Sequence, residues 1–155
     1  MNDLQIRLAT ADDANGIFNA HRNSVERLCT QDYSPEQISM WLDGRSPQTY
    51  REAIDKGLLW LAETDSIQGF VEVEGNEISK LFICGDGARR GIGSRLLEVA
   101  IEHLRNGGAQ MAYLEATLTA ELFYARHGFQ KIGEGTFSRG SSPVSLEIVK
   151  MQRSL

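Results

Sequence analysis

ARRGIGSRLLEVAIEHL, residues 88–104, sets two glycines and two arginines directly against an apolar run. Leu97, Ala100, Ile101 and Leu104 recur at the spacing of one helix face, so the run reads as a helix that stops at Asn106-Gly107-Gly108. It follows the strand-like KLFIC, residues 80–84. Gly91 and Gly93 thus fall where a strand gives way to a helix, with unpaired, uncrowded N–H groups at the positive end of the helix dipole. Such a turn can cradle a pyrophosphate, with Arg89 and Arg90 adding charge-assisted hydrogen bonds; a glycine turn with solvated arginines is the alternative. Other nucleotide loops fit worse. No GxxxxGK[ST] string occurs, and GDGARRG, residues 85–91, is mis-spaced for GxGxxG and follows antiparallel strands rather than opening the first βα turn.

Upstream, LLWLAET (58–64), IQGFVEVEG (67–75) and EISKLFIC (77–84) are apolar or alternating runs parted by Asp65-Ser66 and Gly75-Asn76, the pattern of an antiparallel meander. Downstream, AQMAYLEA (109–116) reads as a strand reached by a helical crossover, which implies a parallel pair. AELFYARHG (120–128) is a helix closed by Gly128, and FQKIGE (129–134) and PVSLEIVKM (143–151) are strands about a Gly/Ser-rich loop. Nearer the N-terminus, LQIRLAT (4–10) alternates as a strand and Thr10 caps a helix with Asp12 and Asp13 in its first turn. Ser34-Pro35 with Gln37, and Ser46-Pro47 with a stop at Gly57, mark two further helix starts, giving three short helices. The predicted fold is a mixed α/β sheet.

At 155 residues the chain has the length of one domain, 1–155. Sixteen Lys+Arg against 21 Asp+Glu give a net charge of −5, which argues against a nucleic-acid partner and confines any anion site to a local patch. MNDLQIRLAT carries no basic leader followed by an apolar stretch, and no segment has the length of a membrane span, so a cytoplasmic protein with no membrane partner is expected. Cys29 and Cys84 stand far apart without a CxxC or Cys/His cluster, which reads as reduced thiols and no metal site.

Two stretches, LFICGDGARRGIGSRLLEVAI (81–101) and LEATLTAELFYARHGFQKIGE (114–134), resemble the GNAT superfamily of acetyl-CoA-dependent N-acetyltransferases, and the likeness extends over nearly the whole chain. The resemblance implies a mostly antiparallel sheet with a splayed parallel pair that holds CoA. It places the pyrophosphate on the loop Ala88, Arg89, Arg90, Gly91, Ile92, Gly93 and Ser94, and main-chain contacts to the pantetheine arm on Leu81, Phe82 and Ile83. Ala88 replaces the usual Gln or Arg of the motif, and Thr119 stands where an Asn often helps hold the cofactor.

Acetyl transfer needs a deprotonated nucleophile, a stabilised oxyanion and a protonated leaving thiolate. Tyr124 matches the family's general acid, and a phenol with a pKa near ~10 can protonate a thiolate whose conjugate acid lies near ~8.5. The Leu81 N–H would polarise the thioester carbonyl. Glu77 lies at the same distance from Gly91 as the general base of the histone-acetyltransferase branch; Glu72, Glu74 and ordered water are alternatives. Tyr33, Trp41 and Tyr50 read as core, His127 as answering a helix dipole, His103 as exposed, and His21 as the one histidine able to face substrate. Arg22, Arg45 and Arg139 read as solvated by default, with a carboxylate on an amino-acid-like acceptor as the sharper reading. The expected function is acetyl transfer from acetyl-CoA to a primary amine of a small metabolite, with no metal. A protein or peptide acceptor and a non-catalytic acyl-CoA sensor are the competing readings, and a homodimer is left open.

Overall fold

The alternating LQIRLAT forms β1 (Gln5–Leu8), hydrogen-bonded to β2 (Leu59–Glu63). This computed structural model describes residues 3–85 and 91–155. Beyond β1 the Thr10 N–H donates to Asp13 Oδ2 at 2.7 Å, and a 3₁₀ turn (Ala11–Asp13) leads into α1 (Ala14–Leu28). Arg7 pairs with both Asp13 (2.9 Å) and Glu63 (2.8 Å), fastening the helix start to the sheet. The first helix is not short: it runs 15 residues, because Ile17, Ala20, His21, Ser24 and Val25 continue its buried face. Ser34 caps α2 (Pro35–Leu42) through the Gln37 N–H, and Ser46-Pro47 opens a 3₁₀ turn that passes into α3 (Arg51–Asp55).

The expected meander is β2, β3 (Ile67–Glu74) and β4 (Glu77–Ile83), all antiparallel. Then α4 (Ile92–Asn106) crosses over to β5 (Met111–Thr117), followed by α5 (Glu121–Arg126), β6 (Gln130–Phe137) and β7 (Leu146–Ser154). The seven strands lie in the order β1-β2-β3-β4-β5-β7-β6, and every neighbouring pair is antiparallel except β4–β5.

Alternation along the strands sorts side chains to two faces. Val71, Val73, Ile78, Ala112 and Leu114 pack against the apolar face of α4. Leu59, Leu61 and Phe70 point the other way, toward Ile17 of α1. Between β3 and β4 the register jumps from Glu72↔Lys80 to Val73↔Ile78, so Ser79 is an extra residue. This bulge, at the middle of β4, sets Lys80 on the α1 face opposite Glu72.

Candidate active site

The parallel pair scarcely pairs. Its register is confined to Glu77↔Tyr113, with the Tyr113 N–H donating to Asn76 O at 3.0 Å, while β5 keeps full register with β7 from Met111 to Thr117. Toward Ile83 and Thr117 the strands therefore diverge. The Cys84 N–H donates to Gln68 O at 2.9 Å, so antiparallel alternation turns Phe82 and Lys80 toward β3 and the N–H and C=O groups of Leu81 and Ile83 toward the gap. A strand edge with open main-chain groups can hold an extended amide-bearing arm by adding it as a strand. Of the three residues expected to do so, Leu81 and Ile83 offer their backbone; Phe82 instead lays its ring on the opposite face of the sheet, stacked 4.0 Å from His21.

At the open end of this gap Gly91 caps α4 with φ 77°, ψ 4°, a left-handed conformation that a side chain rarely adopts. The first helical bond that follows runs from Arg95 N–H to Gly91 O, so the N–H groups of Ile92, Gly93 and Ser94 precede the ladder and are available to an anion. Ala88, Arg89 and Arg90 lie outside the described residues. Gly93 answers to packing: a Cβ there would sit 3.3 Å from Phe123 Cζ and 3.7 Å from Ile83 Cγ1, so α5 approaches the start of α4 only over a glycine. Phe123 thus packs against the Cα of Gly93, while the Gly93 N–H keeps its place ahead of the helical ladder. The Ser94 hydroxyl meets His127 Nε2 at 2.9 Å, and His127 Nδ1 lies 2.9 Å from Phe123 O. An Nδ1–H donated to that carbonyl leaves Nε2 to accept from Ser94. His127 is thus a brace between α4 and α5, and Ser94 can offer the cofactor its amide but not a free hydroxyl. The Thr119 hydroxyl donates to Asp32 Oδ2 at 2.8 Å, tying the turn before α5 to the turn after α1.

Tyr124 is 6% exposed, its ring between Phe123 (centroids 5.2 Å apart) and Phe129 (5.7 Å). Burial alone pushes its phenol well above the ordinary value, so it stays protonated, and its hydroxyl has no hydrogen-bond partner among the described residues. Its helix follows the end of β5 at which the gap is widest.

The carboxylates separate by environment. Glu77 stands at the closed end of the pair, and its pKa is raised by burial and by the neighbouring Glu115 and Glu74 carboxylates, partly offset by Lys80. That shift favours a base able to take and release a proton nearer neutrality. Glu72 is 5% exposed and accepts from Ser79 Oγ (2.7 Å) and Lys80 Nζ (2.5 Å). It is held in an ion pair. Glu74, on the same strand face, is exposed.

Beyond the α1 face of β4 lies a layer of side chains drawn from far apart in the chain. His21 is fully buried, with Nδ1 2.8 Å from the Tyr50 hydroxyl. Desolvation, then the Arg45, Lys80 and Arg139 charges, lower its pKa well below the usual value, so it is neutral. Tyr33 donates to Glu147 O (2.6 Å) and accepts from Leu118 N–H (2.9 Å). Tyr33, Trp41 and Tyr50 are all core residues, as their type suggests. Arg22, by contrast, is paired with Glu26 at 3.3 Å and half exposed. A cavity of ≈ 700 Å³ opens between α1 and α2, lined by Phe18, Arg22, Tyr33, Ile38, Leu42 and Arg45 among others. The Lys80–Glu72 pair escaped the sequence reading, although a lysine inside the apolar KLFIC strand was its one visible signal. Among the described residues no group of three or more His, Cys, Asp or Glu could hold a metal, and no helix is long and apolar enough to cross a membrane.

A mostly antiparallel sheet whose one parallel pair splays beside a glycine-capped helix defines the acetyltransferase class called GNAT. Comparison with known proteins agrees: the model of the acetyltransferase (GNAT) domain matches residues 29–150, and the chain belongs to that family and is an acyltransferase. It is 29% identical over 133 residues to YafP of Escherichia coli (strain K12), described as an uncharacterized N-acetyltransferase, covering 85% of each chain. Among solved structures it superposes on a GCN5-related N-acetyltransferase from Rhodopseudomonas palustris with a TM-score of 0.88 at 23% identity, covering 100% of this chain and 96% of that one. The PaiA N-acetyltransferase of Thermoplasma acidophilum, solved in complex with coenzyme A, gives 0.80 at 20% identity over 99% of both chains.

Proposed function

We propose that this chain, as one domain, transfers the acetyl group of acetyl-CoA to the primary amine of a small metabolite by direct attack. One observation carries the reading: the diverging β4–β5 pair turns the Leu81 and Ile83 main chain into a gap that ends at the left-handed Gly91 cap of α4. Those groups suit an amide-bearing arm and a pyrophosphate in one line, which is the shape of CoA, and the CoA complex of the PaiA relative supports that assignment. Acetyl-CoA supplies the activated acetyl group as a thioester. The Leu81 N–H polarises its carbonyl. Glu77, directly or through water, takes one proton from the ammonium, the amine nitrogen bonds to the acetyl carbon, the C–S bond breaks as Tyr124 gives its proton to sulfur, and the nitrogen's second proton returns to Tyr124 as the amide forms. The concave cavity on the α1–α2 side, in the size range of small-molecule sites, favours a metabolite over a protein acceptor.

Thiol release from acetyl-CoA, measured against a panel of amines, amino acids and peptides, tests this. Amine-dependent release is expected. Binding of acetyl-CoA with no amine-dependent release across the panel would turn the protein into a sensor.

A further inference from the structure

Two arginines converge on one carbonyl. Arg45, in the turn after α2, and Arg139, in the loop between β6 and β7, both donate through Nε to Trp41 O, at 3.2 and 3.1 Å. Trp41 lies in the last turn of α2, where carbonyls lack helical partners, so one guanidinium there is ordinary capping. Two are not explained by capping alone. Neither has a carboxylate partner or any further hydrogen bond among the described residues. Arg45 is half-buried, and desolvation followed by the charge of Arg139 pulls its pKa down to about 10.

Internal compensation is small: Arg139 lies over the Phe137 ring, 5.5 Å from its centroid, and no carboxylate pairs with either guanidinium among the described residues. His21 is neutral, and Glu72, the carboxylate acting on Arg45, is already held by Lys80 and Ser79. The Glu72 carboxylate that acts on Arg45 is thus already paired with Lys80, and neither arginine has an ion pair of its own among the described residues, in a chain whose net charge is −5. Holding two half-buried like charges against one carbonyl is costly without a counter-ion, and a bound anion removes that cost. With Nε committed to Trp41 O, each guanidinium keeps its end-on Nη edge, whose two parallel N–H groups match the two oxygens of a carboxylate.

We propose that Arg45 and Arg139 form the acid subsite of the acceptor, so that the amine acetylated by this enzyme also carries a carboxylate. The amine half of that statement rests on the acetyl-transfer reading above; the acid half does not. The Lys80–Glu72 pair, on the same side of the sheet, holds Lys80 away from competing for the acid.

The test sets the common L-amino acids against their carboxamides, which keep the amine and the side chain and lose only the charge. In the wild type, kcat/KM should favour the acids by roughly 10–100-fold, the worth of one to two charge-assisted hydrogen bonds. Arg45→Gln and Arg139→Gln should each collapse that ratio toward unity while the CoA-dependent rise in Tm persists, and Arg139→Lys should restore part of it. A parallel calorimetric titration of the same acids and carboxamides, with CoA present, reads binding without transfer. Acid-selective binding without turnover supports the subsite and counts against the acetyl-transfer reading. No preference for acid in either assay, or a preference that survives in both Gln variants, overturns the subsite.

Discussion

β4 presents two unlike surfaces. Its edge toward β5 offers main chain, the Leu81 and Ile83 amides and carbonyls, followed by the glycine cap of α4. Its face toward α1 and α2 offers charge: Lys80 against Glu72, with Arg45, Arg139 and a neutral His21 beyond. Main-chain recognition tolerates many side chains and suits a constant ligand. Recognition by placed charges depends on each residue and suits an acceptor that differs from one family member to the next.

The largest expected effect lies on the side of the edge, at Tyr124 in the core that α4 shares with the sheet. Tyr124→Phe keeps the packed ring and removes the proton donor, so kcat should fall about 10²–10⁴-fold while the Tm rise induced by CoA stays as in the wild type. An unchanged rate would make Tyr124 a packing residue only, and the edge would be left with no chemistry of its own.

Next comes the charged face. Glu72→Ala strands Lys80 beside two arginines and should cost about 3 kcal/mol, at the lower end for a broken buried pair because Lys80 keeps some exposure. Denaturant unfolding measures it, and Glu72→Gln combined with Lys80→Met should recover most of the loss. A cost near zero for Glu72→Ala would show that the face is solvated and its charges uncoupled.

On the edge, the two glycines should respond differently. Gly91→Val forces a β-branched residue to φ 77°, costing about 1–2 kcal/mol, and should also abolish the CoA-induced shift in Tm. Gly93→Ala should lower Tm through contact with Phe123, and Phe123→Leu should relieve it. Equal loss of CoA binding in both variants, without rescue, would mean that Gly93 serves the ligand as Gly91 does.

The smallest effect is at Glu77. Its carboxyl is raised in the fold, so the stability it contributes is present below its unfolded pKa and is lost as pH rises through the folded one. Glu77→Gln should therefore have the higher Tm at pH 7, with the difference shrinking toward about pH 4. The same variant should lose kcat/KM most at neutral pH and recover at high pH, where the free amine needs no base. A loss that is flat across pH would reduce Glu77 to a positioning role.

Much of the edge was legible beforehand because its parts are contiguous. The strand KLFIC, the glycine at 91 and the helix period from 92 lie in one run of chain, and the strand at 111–117 needed only a right-handed crossover to become its parallel neighbour. What lay beyond reach has local causes. Gly93 keeps an open N–H at the helix start, and its lack of a side chain also makes room for Phe123, a contact made across 30 positions. The first helix looked short because a cap signals where a helix begins, whereas its length came from a buried face that matches the sheet.

Alternation and helical period, acting over a few residues, determined the order of strands and helices along the chain and which two strands run parallel, since these depend on backbone geometry that near neighbours dictate. Only the tertiary structure decided that Glu72 is an ion-pair partner and that burial and neighbouring carboxylates raise Glu77, that His127 braces two helices, and that Arg45 and Arg139 meet at Trp41. Charge in a folded chain is set by burial and by what lies a few ångströms away in space, and 94 positions of sequence separate those two arginines.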